Sequence, residues 1–278
     1  MRESDPLPPE FADALDRVRP AFGRLARRVL FYKSIGSTND VAAALAAETD
    51  GAGAVVIADA QTAGRGRRGH TWFSPPGSGL YVSVVLAPSL AANGARATAL
   101  LTLMAGVALA EAVHAATGLA ADIKWPNDLL IGRRKLAGIL AEGVTAVAAS
   151  ARSAADDGFR VILGFGINVS PSAYPPELRD RVASLEGELG RPVDRGDLCA
   201  ASLAALARRY EDLIAGRFDA ILDDWRRRAP GSRGARVRWD GPDGPRAGVT
   251  AGIDDSGALL VRHGDAIQRL VAGEVLWD

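Results

Sequence analysis

Cysteine is almost missing: Cys199 is the single one in 278 residues. That excludes an internal disulfide framework and fits a reducing compartment. Its apolar, helix-like surroundings point to a buried structural thiol rather than a nucleophile. Histidine occurs three times, never beside a second plausible ligand in sequence, so no zinc motif is present. A Ser-centred nucleophile elbow and a Gly-Lys-Ser/Thr phosphate loop are missing as well, so covalent catalysis is not indicated. Net charge is zero, with 33 basic and 33 acidic residues, which removes any bulk argument for a nucleic-acid or membrane-surface protein. No apolar region follows the polar start Met1-Arg2-Glu3-Ser4-Asp5-Pro6, so no signal peptide is expected. The most apolar run, from Ala97 to Ala110, is interrupted by Thr98 and Thr102. It is shorter than the ~20 residues that span a bilayer. The expectation is a soluble, cytoplasmic protein.

Lysine is also scarce. Of the 33 basic residues only Lys33, Lys124 and Lys135 are lysines, and two of them lie in one neighbourhood. Chance is one reading. The other is that a compact ammonium is needed there, which an arginine fork would not replace.

What is present reads as an ordinary globular chain, 48% hydrophobic and 24% charged, long enough for a large domain plus a small one. Residues 1–9 read as disordered. Apolar positions from Glu10 to Arg28 recur at helical spacing, with Pro20 as a break. Ser37 or Thr38 is the N-cap of a helix from Val41. Short apolar runs at Leu30–Tyr32, Ala54–Ala58 and Gly79–Ala87 predict strands, and Gly94–Thr117 a long core helix with Gly118 as its C-cap. Around Pro126, which can donate no ladder hydrogen bond, the chain must bend. Lys135–Glu142 and Phe159–Val169 are strands; 145–158 between them is a surface hairpin tip or insert, and Ser170–Pro176 a Pro/Ser loop. Helices over Arg195–Ala215 and Arg217–Arg228 precede a linker at Pro230–Gly234. Five short β runs then form a module too small to rely on its own core.

Chemistry concentrates in four segments. Gly64-Arg65-Gly66-Arg67-Arg68-Gly69 alternates residues that permit close backbone approach with permanently charged forks suited to carboxylate or phosphate oxygens. It should be mobile when empty and close over an anionic ligand. Lys124-Trp125-Pro126-Asn127-Asp128 follows, then Lys135-Leu136-Ala137-Gly138 running on to Glu142, then Gly164-Phe165-Gly166-Ile167-Asn168. In this combination, order and spacing, the sequence closely resembles the biotin protein ligases from about Phe31 to the end.

The resemblance implies an α+β fold. Its mixed, mainly antiparallel sheet carries helices on one face, similar to class II tRNA synthetases, and a small C-terminal SH3-like barrel follows. The expected division is 1–28 for a tail and helix, 29–230 for the catalytic domain and 231–278 for the barrel. Ligases that double as repressors carry a winged helix-turn-helix in front, for which some 30 residues leave no room, so the monofunctional type without operator binding is expected. The implied reaction joins biotin and ATP into biotinyl-5′-AMP and then passes biotin to a lysine of a biotin carboxyl carrier domain, with no DNA or membrane partner. The ligase itself would be a monomer or a homodimer.

Carried over residue by residue, Ser37, Thr38, Asn39, Gln61, Arg65, Gly66, Arg67, Trp72, Lys135 and Gly138 are the implied biotin contacts. Arg67, Lys135, Asn127 and Asn168 are the implied ATP and adenylate contacts. Lys135, Arg67 and Asp128 are the implied catalytic residues. ATP brings Mg²⁺, for which Asp128 is a ligand unless it instead serves the incoming lysine. For Ser37–Asn39, helix capping alone is the plainer reading. Trp125 reads as core more readily than as a ligand platform. A lipoate or octanoate ligase shares the architecture, but the Trp-Pro-Asn-Asp and Lys-Leu-Ala-Gly segments favour the biotin branch. An arginine-loop nucleic-acid module is the rival from another class. Neither Met1 nor Met104 neighbours a lysine, so the chain is not itself a biotin carrier.

Overall fold

In the computed structural model, residues 3–48, 50–145, 158–171, 174, 178, 180–241 and 244–277 are described. Residues 146–157, most of the insert noted above, and 172, 173, 175 and 176 of the Pro/Ser loop lie outside them.

The large sheet has seven strands: β1 (Val29–Tyr32), β2 (Val55–Ala58), β3 (Gly79–Leu86), β4 (Asp122–Lys124), β5 (Asp128–Ile131), β6 (Arg134–Thr145) and β7 (Phe159–Asn168). Their spatial order is β1-β2-β3-β7-β6-β5-β4. Only β1 and β2 run parallel, because α2 (Thr38–Ala46) forms the crossover between them; every other neighbour is antiparallel. The sheet's two faces are served unequally. Alternate residues such as Val82, Val84 and Leu163 join one core with α1 (Pro9–Val18), α3 (Gly94–Thr117), α5 (Arg195–Ile214) and α6 (Phe218–Arg228). Val56, Val85 and Ile162 point the other way and are met by Val41, Leu45 and Ala46 of α2 alone. That second face is therefore largely free of helices, and the cavity described below opens on it. A short helix, α4 (Leu185–Leu189), completes the set.

α3 ends as expected, on Gly118 in the left-handed conformation at φ 80°. Its bounds are those read from the sequence, and by length and composition alone it could cross a membrane. Here it is a buried core helix, with Leu100, Leu101, Met104 and Leu109 all fully enclosed. Cys199 on α5 is fully buried, and burial pushes its thiol up to about 12, in keeping with a structural role.

Two expectations near the N-terminus need correction. The helix breaks before Pro20, as read from the sequence, but it does not resume to Arg28: it stops at Val18 and Pro20 sits in a tighter 3₁₀ turn spanning Arg19–Phe22. Residues before Pro9 are not wholly disordered either. Asp5 N–H donates to Phe31 O at 2.8 Å, and its carboxylate accepts from Lys33 N–H at 2.8 Å, so this segment lies along the outer edge of β1. That cover blunts an otherwise open sheet edge.

The C-terminal strands β8 (Arg233–Gly241), β9 (Gly244–Ile253), β10 (Leu259–His263), β11 (Ala266–Leu270) and β12 (Val275–Trp277) form a second, antiparallel sheet in the order β11-β10-β9-β8-β12. This meander fits an SH3-like barrel. Its inward residues Val237, Trp239, Leu259 and Val261 belong to the same apolar core as α3. Trp125 is 2% exposed and its Nε1–H donates to Gly257 O at 3.0 Å, so it is a core residue that ties the two sheets together.

Within the second sheet, Asp254 accepts from Arg269, Ser256 and the Ala258 N–H. Burial raises its carboxyl, but these bonds outweigh it and bring the group down to about 2, against 3.8 ordinarily. A folded-state value below the unfolded one contributes stability that is complete above about pH 4 and fades as pH falls toward 2. The melting-temperature difference between the wild type and Asp254→Asn should therefore be largest above pH 4 and shrink toward pH 2, as read by thermal denaturation across that range.

Candidate active site

A cavity of about 800 Å³ lies on the second face of the large sheet, and every residue singled out from the sequence as a ligand or catalytic group lines it. It extends to the second sheet, where Glu274 and Trp277 contribute to the wall.

One end is a closed polar network. Ser37 caps α2 by accepting from Asn39 N–H at 3.3 Å. Thr38 N–H and Oγ1–H both donate to Gln61 Oε1, at 2.9 and 3.1 Å, and Gln61 Nε2–H donates to Ser74 Oγ at 3.0 Å. Capping does not take these side chains out of the cavity: the hydroxyl of Ser37 makes the cap, while Thr38 and Asn39, 4% exposed each, sit in the cavity wall. Asn39 Nδ2–H donates to Glu142, and its Oδ1 faces Ser83 Oγ. Gly164 must lack a side chain for this, since a Cβ there would lie 2.2 Å from Asn39 Oδ1.

The glycine–arginine segment is a small hairpin. Trp72 N–H donates to Gly64 O at 2.9 Å and Gly66 N–H to His70 O at 2.7 Å, with Arg68 left-handed at φ 55°. These internal hydrogen bonds give the segment its hairpin form. Arg65 pairs with Asp40 and Glu142. The hydrogen bond with Asp40 raises the Arg65 guanidinium above its ordinary value, against burial. Arg67 instead reaches into the cavity and donates to Asn127 Oδ1 at 3.2 Å. Burial lowers its guanidinium, opposed by the charge of Asp128.

Trp72 forms the wall between the two ends. Its indole lies against β6 and β7, where a Cβ on Gly138 or Gly166 would come within 2.9 or 2.3 Å of the ring. Lys135 Nζ is 5.3 Å from the Trp72 ring centroid and 2.7 Å from Asp128 Oδ1. Nearby, Lys124 lies 6.0 Å from the Trp277 ring, and burial lowers its ammonium despite Asp128. Asn127 Nδ2–H donates to Ile139 O at 2.8 Å, fixing the Trp-Pro-Asn-Asp turn against β6. Asn168 Nδ2 donates to Lys135 O and Ala183 O, both at 3.1 Å, which leaves its Oδ1 as the remaining polar atom.

Lys135 therefore joins an amide-rich pocket to an end where cations outnumber carboxylates. Such a cavity suits an acid with an amide-like head at one end and a polyphosphate at the other.

The Biotin/lipoate A/B protein ligase family matches residues 31–154. The biotin–[acetyl-CoA-carboxylase] ligase of Paracoccus denitrificans is 36% identical over 87% of this chain and 97% of its own length. The bifunctional ligase/repressor BirA of Bacillus subtilis is 34% identical over 90% of this chain and 74% of its own. The chain belongs to the biotin protein ligase family. Its architecture agrees: the Aquifex aeolicus biotin protein ligase, in complex with biotin and ATP, superposes with a TM-score of 0.74 at 26% identity, covering 91% of this chain and 99% of that one.

Sequence reasoning passed over several groups in this biotin protein ligase cavity or directly behind its wall. Glu142 lies in β6 two residues beyond Leu140, so its even spacing from Gly138 already put it on the same face of the sheet. Ser83, 0% exposed, stands alone as a polar residue in the apolar β3, and that solitary hydroxyl was the available signal. Asp40 and Trp277 carried no signal of their own.

Proposed function

We propose that this chain activates biotin with ATP to biotinyl-5′-AMP and transfers the biotinyl group to a lysine of a biotin carboxyl carrier domain. The observation that carries the reading is the single cavity in which Lys135 touches both the Trp72 wall and Asp128. The relatives named above are biotin ligases, which supports biotin over lipoate or octanoate and an enzyme over a nucleic-acid module.

In the first step a biotin carboxylate oxygen bonds to the α-phosphorus, and the bond to the β-phosphate oxygen breaks to release pyrophosphate. Two anions must meet, and like charge opposes them. Lys135 and Arg67 offset that repulsion and stabilise the charge that develops. Thr38, Asn39 and Gln61 serve the ureido ring with donors and acceptors already oriented by their network. Asn127 and the Asn168 carbonyl serve the adenylate end. In the second step the carrier amine bonds to the anhydride carbon, the bond to the phosphate oxygen breaks, and AMP leaves. Asp128, beside Lys135, takes up the proton of the incoming amine.

Mg²⁺ enters with ATP. Among the described residues no cluster of three ligand-type side chains exists, and Asp128 is already neutralised by Lys135. A hard ion here would be held mainly by phosphate and water oxygens in the first step, with Asp128 as the protein ligand available to it before the carrier amine arrives. A cytoplasmic location accords with the buried free thiol and a carboxylase carrier as substrate.

Biotin-dependent ATP–pyrophosphate exchange on the purified chain tests the reading, with lipoate and octanoate in parallel. Exchange with biotin alone is expected. Exchange with lipoate or octanoate alone would keep the chemistry and change the substrate. Exchange with none would remove adenylation altogether.

A further inference from the structure

Arg65 opens the glycine–arginine hairpin, yet both of its Nη groups are taken by the protein. Nη1 bonds Asp40 in the first turn of α2, and Nη2 donates to Glu142 Oε2 on β6 at 3.1 Å. The same Glu142 oxygen accepts from Asn39 Nδ2. Three elements distant in sequence thus converge on two carboxylates. Asn39 has little room to compensate, being 4% exposed, faced by Ser83 and backed by the bare Cα of Gly164.

A lone exposed ion pair contributes little. This one is a guanidinium fork spread over two carboxylates, one of which also holds a buried amide, so its geometry is over-determined. Arg67, by contrast, reaches Asn127 at the nucleotide end. The two arginines of the hairpin therefore have different tasks.

We infer that Asp40 and Glu142 brace Arg65 and hold the hairpin closed over the cavity, and that Glu142 is a positioning residue coupling this closure to the seating of Asn39. The brace is made entirely of contacts within the chain; its effect on adenylate retention rests on the ligase reading above.

Glu142→Gln keeps the shape and an acceptor for Asn39 while removing the charge that faces Arg65. Asp40→Asn does the same on the other side. Two measurements on the full chain separate the claims. The first is tryptic nicking between residues 64 and 70 without ligand, followed by mass spectrometry. The second is loss of radiolabelled biotinyl-AMP after free biotin and ATP are removed, with no carrier present. Glu142→Gln should nick about tenfold faster than wild type, the equivalent of about 1.4 kcal/mol. The double variant with Asp40→Asn should nick faster still. Adenylate loss should rise by a similar factor, with first-turnover formation at saturating biotin changed less than about threefold, since the reacting groups are untouched.

Wild-type nicking rates in both single variants and the double would overturn the brace. Faster adenylate loss without faster nicking would also overturn it, because Glu142 would then be acting on the ligand directly. Faster nicking with unchanged retention would leave the brace and overturn its coupling to the adenylate. If the wild type forms no adenylate, the ligase reading fails and the nicking arm still decides the brace.

Discussion

Lys135→Ala should lower biotin-dependent ATP–pyrophosphate exchange by about 10²- to 10³-fold, the usual cost of removing one pre-aimed electrostatic group. The ammonium is 2.7 Å from Asp128 and lies over the Trp72 wall, where a carboxylate and an α-phosphate would meet. Its removal leaves two anions to approach without it and leaves Asp128 unpaired between them. The fold should survive. Lys135 N–H donates to Arg181 O, and Lys135 O accepts from Ala183 N–H and Asn168 Nδ2, all through main-chain atoms that alanine retains. A melting temperature close to wild type is therefore expected alongside the lost exchange. Lys135→Arg should not restore activity, because a planar fork cannot occupy the site of a compact ammonium. Exchange near the wild-type rate in the alanine variant would sink the role.

The second large effect concerns one methyl group. Gly166→Ala would place a Cβ 2.3 Å from Trp72 Nε1 and 2.5 Å from Cε2, distances that packed atoms do not tolerate. The indole cannot retreat along the sheet, because the neighbouring strand presents Gly138 at a similar approach. It must swing into the cavity or away from it. Misplacing a wall by about 1 Å costs on the order of 10²-fold in positioning-dependent rate. The expected result is a loss of that size in kcat/KM for biotin, carried mainly by KM, in steady-state exchange. Gly36→Ala is the control, since a Cβ there meets nothing within 4 Å. Equal biotin KM values for Gly166→Ala and wild type would show that Trp72 does not shape the biotin pocket.

Much of the fold was legible because it depends on neighbours in sequence. The apolar runs of β3 and β7, the apolar length of α3, its stop at Gly118 and the Ser37 cap all follow from short-range propensity and patterning. The five C-terminal strands were marked by turn residues at regular intervals for the same reason. Family resemblance then named the cavity residues, and the fold brings all of them to one cavity.

Tertiary structure decided the rest, where partners lie far apart along the chain. Nothing around Asp5 announces that its backbone will meet Phe31, so a polar, Pro-rich start read as disorder. Nothing in Gly64–Gly69 reveals that Arg65 is engaged by Asp40 and Glu142 while Arg67 is not. Trp125 read as core from the sequence, but its acceptor, Gly257, lies 132 residues on and was set only by the packing of the two sheets. Local sequence sets which segments are strands and helices, through steric limits that act over a few residues. Which charges pair, which loops are held and which indole becomes a wall depend on surfaces that exist only once those segments have packed.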